Sequence, residues 1–254
     1  MKDTIIFYKK DSGKMPEPVR IACLGDSITN GVCSNTDPAD GLNIKGSFMP
    51  YYRWWEKDYD VAAINYGQNG SFVAEYRINK CPTPNDSVPF VLRYKDMTKD
   101  SGLITVMGGV NDCQAGYYTP EEFGSAKDVN NKDIHTFCGA LRSMLKGLCK
   151  EFPKAQTVYL SPLRYSDVSD GLGAVWKNAS DMPHYIDAMR IICKESGVHF
   201  IDLYTPSELH FCCDNKDDKL VYGDRLHFGW KAHKLLSRFI LDKMEAMGIV
   251  RIVV

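Results

Sequence analysis

The sequence predicts an α/β fold built on a mainly parallel sheet of five strands, because short apolar runs alternate with segments of helical period. The apolar runs lie at residues 19–24, 61–66, 103–107, 157–160 and 198–203. Their continuous apolar character is typical of strands that are buried on both faces. Helices are therefore expected on both sides of the sheet, since parallel strands are joined by crossover connections.

The segments between these runs carry the helical signal. One apolar stripe repeats every three or four positions, and its members are Ile134, Phe137, Cys138, Leu141, Met144, Leu145, Leu148, Cys149 and Phe152. Residues 182–196 and 230–247 are also predicted to be helices. Segments 81–88 and 165–180 are rich in Pro, Asp, Ser, Asn and Gly, which predicts surface loops able to rim a pocket.

Length and charge limit the possible classes of protein. A chain of 254 residues is expected to form a single domain, residues 1–254. The chain has 31 Lys and Arg against 32 Asp and Glu, so its net charge of −1 predicts a small or neutral substrate and not a nucleic acid. No run approaches the roughly twenty apolar residues of a membrane span, and the first residues lack the apolar segment of a signal peptide.

The cysteines bear on the redox compartment. There are nine, and none is spaced as CxxC, which disfavours both a disulfide framework and a zinc site. We therefore expect a cytoplasmic protein with reduced thiols. No metal or organic cofactor is expected.

A candidate nucleophile follows the first predicted strand of the sheet. Ligands of such folds bind beyond the carboxyl ends of the strands, and Ser27 lies there in the turn GDSITNG. A serine hydroxyl needs a base, which is most often a histidine held by a carboxylate. Of the six histidines, only His184 and His227 have an aspartate three residues before them, Asp181 and Asp224 respectively.

Position separates these two pairs. Asp181 is followed by Pro183, a pattern typical of an ordinary helix start with Asp as the cap. Asp224 and His227 instead lie in a Gly-containing loop before the last predicted helix, at the expected active edge of the sheet. We therefore favour His227 over His184 as the base.

Ester hydrolysis also needs donors for the oxyanion that develops on the carbonyl oxygen. The turn after the second predicted strand, NYGQNG, contains Gly67 and Gly70, either of which can direct a backbone amide into the site. The turn after the third strand, GGVND, contains Asn111, whose side-chain amide is another candidate donor.

The blocks GDSIT, a glycine turn, GGVND and DRLH, in this order, resemble the four sequence blocks of the SGNH/GDSL hydrolases. The resemblance covers about residues 19–245 and implies a flavodoxin-like, three-layer α/β/α sandwich. It also implies that Ser27 is the nucleophile and first oxyanion amide, that Gly70 and Asn111 complete the oxyanion hole, and that His227 and Asp224 complete the catalytic machinery.

Two details of the resemblance are less specific. The glycine block is loosely defined, so Gly67 competes with Gly70 as the donor. Many members have a proline after the histidine, whereas this chain has Phe228, which bears on the rigidity of the loop and removes no reacting group.

These features predict a serine esterase that acts through an acyl-enzyme. The expected substrate is a small-molecule ester, and an acetyl ester of a carbohydrate or similar polar alcohol is favoured, since no long apolar segment suggests a lid that faces lipid. A lysophospholipase or thioesterase is the alternative within the class. Alternatives of another class are a flavodoxin-like module that binds phosphate at the Ser27 turn and a glycan-binding relative without catalysis.

Overall fold

The computed structural model describes residues 2–13, 17–32, 49–76, 87–115, 120–165, 168–169, 175–176, 178–210 and 226–254. Their central feature is a parallel five-stranded sheet of β2 (Val19–Gly25), β3 (Val61–Gly67), β4 (Leu103–Met107), β5 (Gln156–Leu160) and β8 (His199–Ile201). The strand order is β3-β2-β4-β5-β8. The predicted parallel sheet of five strands is confirmed.

The strand order decides where a ligand can bind. The chain leaves β2 toward β3 on one side and later returns to place β4 on the other side of β2. In flavodoxin-like sheets the crevice beyond the carboxyl ends of the strands opens at such a reversal. Here that position lies between the ends of β2 and β4, at Gly25 and Met107, which are partners in the register.

Helices cover both faces of the sheet. They are α1 (Ser27–Asn30), α2 (Tyr51–Asp58), α3 (Phe90–Arg93), α4 (Val110–Gln114), α5 (Pro120–Phe123), α6 (Phe137–Glu151), α7 (Met182–Ser196) and α8 (Trp230–Ala246). One buried cluster contains the apolar faces of α6 and α7, and a second contains those of α2 and α8. The layers are therefore α/β/α, as the sequence resemblance implies.

The predicted helices at 182–196 and 230–247 are present with nearly the same bounds. The start of α7 differs from its prediction in one respect, because the Asp181 side chain makes no capping hydrogen bond. Asp181 ends a short 3₁₀ helix, Ala179–Asp181, and its own backbone is helical. A capping side chain needs an extended backbone, so the expected cap does not form.

Some elements were not predicted. β1 (Ile5–Tyr8) and β9 (Val250–Val253) form a separate parallel pair that joins the two ends of the chain. A short antiparallel pair, β6 (Val168–Ser169) and β7 (Val175–Trp176), lies within the segment predicted as an irregular loop. The strands β6 and β7 have only two residues each, which is too few for a periodic signal. Most of the other predicted loop, 81–88, lies outside the described residues.

Within the described ranges, no helix is long and apolar enough to cross a membrane.

Candidate active site

Ser27 is the first residue of α1, directly after the carboxyl end of β2. The Asp26 side chain caps this short helix, because its Oδ1 accepts a hydrogen bond from the Ile28 amide at 3.0 Å. Gly31 ends the helix with a φ of 88°, a left-handed conformation that glycine adopts readily. In the described part of the chain, the Ser27 N–H makes no hydrogen bond, so it is available to an acceptor in the site.

His227 lies against Ser27. Its Nε2 is 2.8 Å from the Ser27 Oγ, although 200 positions separate the two residues in the chain. His227 is the candidate base that the sequence favoured, whereas His184 is exposed on α7. Asp224, the predicted third member, lies outside the described residues.

The neighbours of His227 fix its position. Leu226 is buried in the cluster under α6 and α7, and Phe228 is buried in the opposite cluster under α2 and α8. The Phe228 ring also contacts the His233 ring edge to face, with 6.0 Å between centroids. His227 therefore lies between two buried residues, one in each apolar cluster. This packing fixes the path of residues 226–228.

The glycine turn after β3 separates the two candidate amides. The Gly67 N–H donates to the Asn65 Oδ1 at 2.8 Å and is therefore engaged. Gly70 has a φ of 70°, and no hydrogen bond of its N–H is found among the described residues. These contacts favour Gly70 over Gly67 as an oxyanion donor.

Gly67 has a different role, which is to let α1 approach β3. A Cβ at Gly67 would overlap the backbone of Asn30 and lie 2.9 Å from the carbonyl oxygen of Asp26.

We expect Gly67→Ala to lower the free energy of unfolding by about 1–3 kcal/mol, because the packed backbone of α1 would have to shift to make room for the methyl group. Because the same shift moves Ser27, kcat should also fall. Urea unfolding and ester hydrolysis measure these effects. Gly102→Ala is the matched control, since its Cβ would meet its nearest atom at 3.5 Å. Equal behaviour of the two variants would contradict the prediction.

Asn111 comes from the turn after β4. It is in the first turn of α4, and its Nδ2 donates to the backbone oxygen of Ser71 at 3.0 Å. This bond joins the β4 turn to the residue that follows Gly70. The amide has two hydrogens, so one remains for a second acceptor.

Asp112 joins α4 to the segment that follows the glycine turn. Its buried carboxylate accepts hydrogen bonds from the amides of Val73 and Ala74 and from the Tyr76 hydroxyl. Burial raises the pKa of Asp112 to about 6, even though these donors act in the opposite direction. Asp26 is also fully buried, and burial raises its pKa to about 6 against the opposing charges of His227 and Arg93.

His233 is a feature that the sequence did not indicate. It is fully buried in α8, and neither ring nitrogen has a hydrogen-bond partner in the described residues. Burial, followed by the charge of His227, lowers the pKa of His233 from 6.5 to about 3.

This burial makes stability depend on pH. Below pH 6.5 the unfolded chain binds a proton at His233, whereas the folded chain does not until the pH approaches 3. Proton binding therefore favours the unfolded state, and the free energy of unfolding decreases as the pH falls from 6.5 toward 3. His233→Leu removes this pH dependence. Between about pH 7.5 and about pH 5, the wild type should lose on the order of 2 kcal/mol of unfolding free energy relative to the variant. Urea titrations at the two pH values measure the difference, and equal losses would contradict the prediction.

Arg93 is a polar residue of the site that the sequence analysis missed. It is buried at the end of α3, behind the glycine turn. A lone arginine in the short segment PFVLRY gives no sequence signal of burial.

Taken together, these residues place a serine hydroxyl, an imidazole and several hydrogen-bond donors at one edge of the sheet. This set suits nucleophilic attack on a carbonyl with stabilisation of an oxyanion. In the portion of the chain that the structure describes, no group of three or more His, Cys, Asp or Glu could hold a metal ion.

The sequence of residues 23–235 matches the model of the GDSL-like Lipase/Acylhydrolase family. No curated protein matches the chain.

Solved structures share the fold. A crystal structure of a protein from Lactobacillus plantarum is 24% identical, with a TM-score of 0.66 over 91% of this chain and 99% of that one. A possible lipase from Chitinophaga pinensis is 17% identical, with a TM-score of 0.63 over 91% of this chain and 99% of that one. The inhibitor-bound aryl esterase of M. smegmatis is 12% identical, with a TM-score of 0.61 over 90% of this chain and 99% of that one. Similarity at these identities establishes the three-layer fold.

Proposed function

The chain belongs to the GDSL-like lipase/acylhydrolase family, and from this premise we propose that it is a serine esterase that acts on short acyl esters of polar alcohols. The observation that carries the proposal is the 2.8 Å contact between the His227 Nε2 and the Ser27 Oγ. A neutral imidazole at this distance can accept the hydroxyl proton as the oxygen attacks.

The reaction has two steps. In the first, the Ser27 Oγ bonds to the ester carbonyl carbon, its proton passes to His227, and the alcohol leaves with that proton. In the second, His227 takes a proton from water, whose oxygen attacks the acyl carbon. The bond from that carbon to the Ser27 Oγ then breaks, the acid leaves, and His227 returns the proton to the Ser27 Oγ. Asp224 is proposed to orient the imidazole and to stabilise its protonated form.

The oxyanion forms in both steps. We assign its donors as the backbone amides of Ser27 and Gly70 and the side-chain amide of Asn111. The absence of a hydrogen bond to the first two amides among the described residues supports this assignment. The link from Asn111 to the Ser71 carbonyl supports it as well, because the link holds the two turns at a fixed separation.

The polar surroundings support a small, polar substrate. Asn30, at the end of α1, donates from Nδ2 to the Asn69 Oδ1 at 2.9 Å. The Asn65 Nδ2 donates to the Asn30 Oδ1 at 3.1 Å. This chain of exposed side-chain amides lies beside both Ser27 and Gly70 in sequence, and amides suit the hydroxyl groups of a sugar better than an alkyl chain. We therefore propose an acetyl ester of a carbohydrate or of a similar polar alcohol.

Hydrolysis of p-nitrophenyl acetate, butyrate and octanoate, together with acetate release from a peracetylated sugar, tests this function. We expect kcat/KM to fall as the acyl chain lengthens and the sugar ester to be a substrate. Phenylmethylsulfonyl fluoride should abolish both activities and label the peptide that contains Ser27. Values of kcat/KM that rise with chain length would contradict the acetyl ester and favour a lysophospholipase or thioesterase. Absence of all hydrolysis, with flavin or glycan bound instead, would favour a binding module.

A further inference from the structure

Arg93 donates hydrogen bonds to four groups. Its Nε donates to the Val88 carbonyl at 2.8 Å. Its Nη1 donates to the Tyr66 carbonyl. Its Nη2 donates to the Gly25 carbonyl at 2.5 Å and to the Ser71 Oγ at 3.2 Å. Four of the five N–H groups of the guanidinium are therefore engaged, two of them with buried acceptors and two with part-buried ones.

The positions of three of these acceptors matter for the site. Gly25 ends β2, two residues before Ser27. Tyr66 is the next-to-last residue of β3, directly before the glycine turn. Ser71 follows Gly70, and its backbone oxygen accepts the hydrogen bond from Asn111. One planar group thus joins the ends of two neighbouring strands to the turn that carries the proposed donors.

The chemistry of these acceptors suits a cation with several donors. The Gly25 carbonyl oxygen is buried and accepts from both the Gln68 amide, at 3.0 Å, and Arg93, whereas the Tyr66 carbonyl oxygen is half-buried. Acceptors removed from water need donors, since an unpaired buried acceptor is unfavourable. The guanidinium fork reaches several of them at once in a fixed geometry, which a lysine ammonium cannot do. Burial lowers the pKa of Arg93 to about 10, against the opposing effect of Asp26, so the side chain stays charged at neutral pH.

We infer that Arg93 is a positioning residue for the oxyanion site, because it fixes the Gly67–Ser71 turn relative to Ser27. The inference rests on the proposed esterase function. Arg93 touches neither the proposed nucleophile nor the proposed base in the contacts of the described chain, so it acts through the backbone of other residues.

The test compares Arg93→Met, Arg93→Lys and Ser71→Ala with the control variant Arg142→Met, which removes another buried arginine. Arg142 is suitable, because it is fully buried and bonds to Glu195 and to the carbonyl oxygens of Asn131 and Ala126, away from the site. Two quantities are measured for each folded variant. They are kcat and KM for p-nitrophenyl acetate, and deuterium uptake by the amides of residues 66–72.

We expect Arg93→Met to lower kcat by about 100-fold, since a shift of about 1 Å in a positioning group has effects of that size. The change in KM should be small, because the oxyanion develops only in the transition state. Arg93→Lys should recover part of kcat, and Ser71→Ala should fall between Arg93→Lys and the wild type. Deuterium uptake at 66–72 should rise in Arg93→Met and not in Arg142→Met.

The outcomes separate this inference from the proposed function. If the wild type hydrolyses esters and Arg93→Met or Arg93→Lys keeps the kcat of the wild type, the inference is wrong. The same holds if Arg142→Met loses kcat equally. If Arg93→Met does not fold, Arg93→Lys and Ser71→Ala decide the question. If the wild type hydrolyses no ester, the proposed function fails, and deuterium uptake alone decides whether Arg93 fixes the turn.

Discussion

Ser27→Ala is expected to lower kcat for p-nitrophenyl acetate by on the order of 10⁴-fold or more, because the variant has no oxygen that can form the acyl-enzyme. His227→Ala should have a similar effect, since the Ser27 hydroxyl then lacks the imidazole 2.8 Å away that accepts its proton. The measurement is the steady-state rate, corrected for spontaneous hydrolysis. Both variants should fold, because neither substitution introduces bulk or buried charge.

The double variant and a control sharpen this test. Ser27→Ala combined with His227→Ala should be about as inactive as either single variant, because residues that act as one unit have non-additive effects. His184→Ala, which alters an exposed histidine on α7, should keep kcat within about twofold, as expected of a surface substitution. Activity retained in Ser27→Ala, or an equal loss in His184→Ala, would refute the assignment.

Asn111→Ala is expected to lower kcat by about 10²–10³-fold with little change in KM. That range is typical when one oxyanion donor is removed, because the donor acts on charge that develops in the transition state. Asn111→Asp should be worse than Asn111→Ala, since a carboxylate of the same shape would repel the oxyanion. Steady-state kinetics of both variants at neutral pH measure these effects.

A matched asparagine controls for general damage to α4. The Asn178 side chain donates to the carbonyl oxygens of Cys113 and Gln114 in the same helix. Asn178 has a φ of 62°, so glycine removes its amide without straining the backbone. Asn178→Gly should keep most of kcat. Similar losses in Asn178→Gly and Asn111→Ala would indicate that helix integrity, and not an oxyanion donor, explains the effect.

Local sequence patterns predicted the strands and helices whose buried residues form an apolar run or an apolar stripe in the sequence. The three central strands, β2, β4 and β5, are buried from both faces, so their apolar runs were visible without any partner. The edge strands β3 and β8 are only partly buried, but their runs were still apolar enough to be recognised. Helices α6 and α7 were equally visible, since each has one apolar face toward the sheet. The α/β/α layers follow from these elements alone. The single-domain organisation and the cytoplasmic location stay predictions.

The candidate site was predictable only in part. The Ser27 turn and the Asn111 turn could be found because each follows a recognisable strand and carries a distinct residue pattern. Arg93 could not be found, because its role depends on carbonyl oxygens of Gly25 and Tyr66, which belong to other segments of the chain. The contact that favours Gly70 over Gly67, the hydrogen bond from the Gly67 amide to Asn65, likewise could not be read from the sequence.

The pairing of β1 with β9 has a consequence for how the protein is made. Residues 5–8 leave the ribosome long before their parallel partners, Val250 to Val253. Until those partners are synthesised, the nascent chain carries the strand Ile-Ile-Phe-Tyr with one edge that its final partner has not yet covered. Such an edge is a template for pairing with other chains. In the interval between the synthesis of β1 and that of β9, this edge is therefore open to misassembly, and a chaperone that covered it would protect the chain.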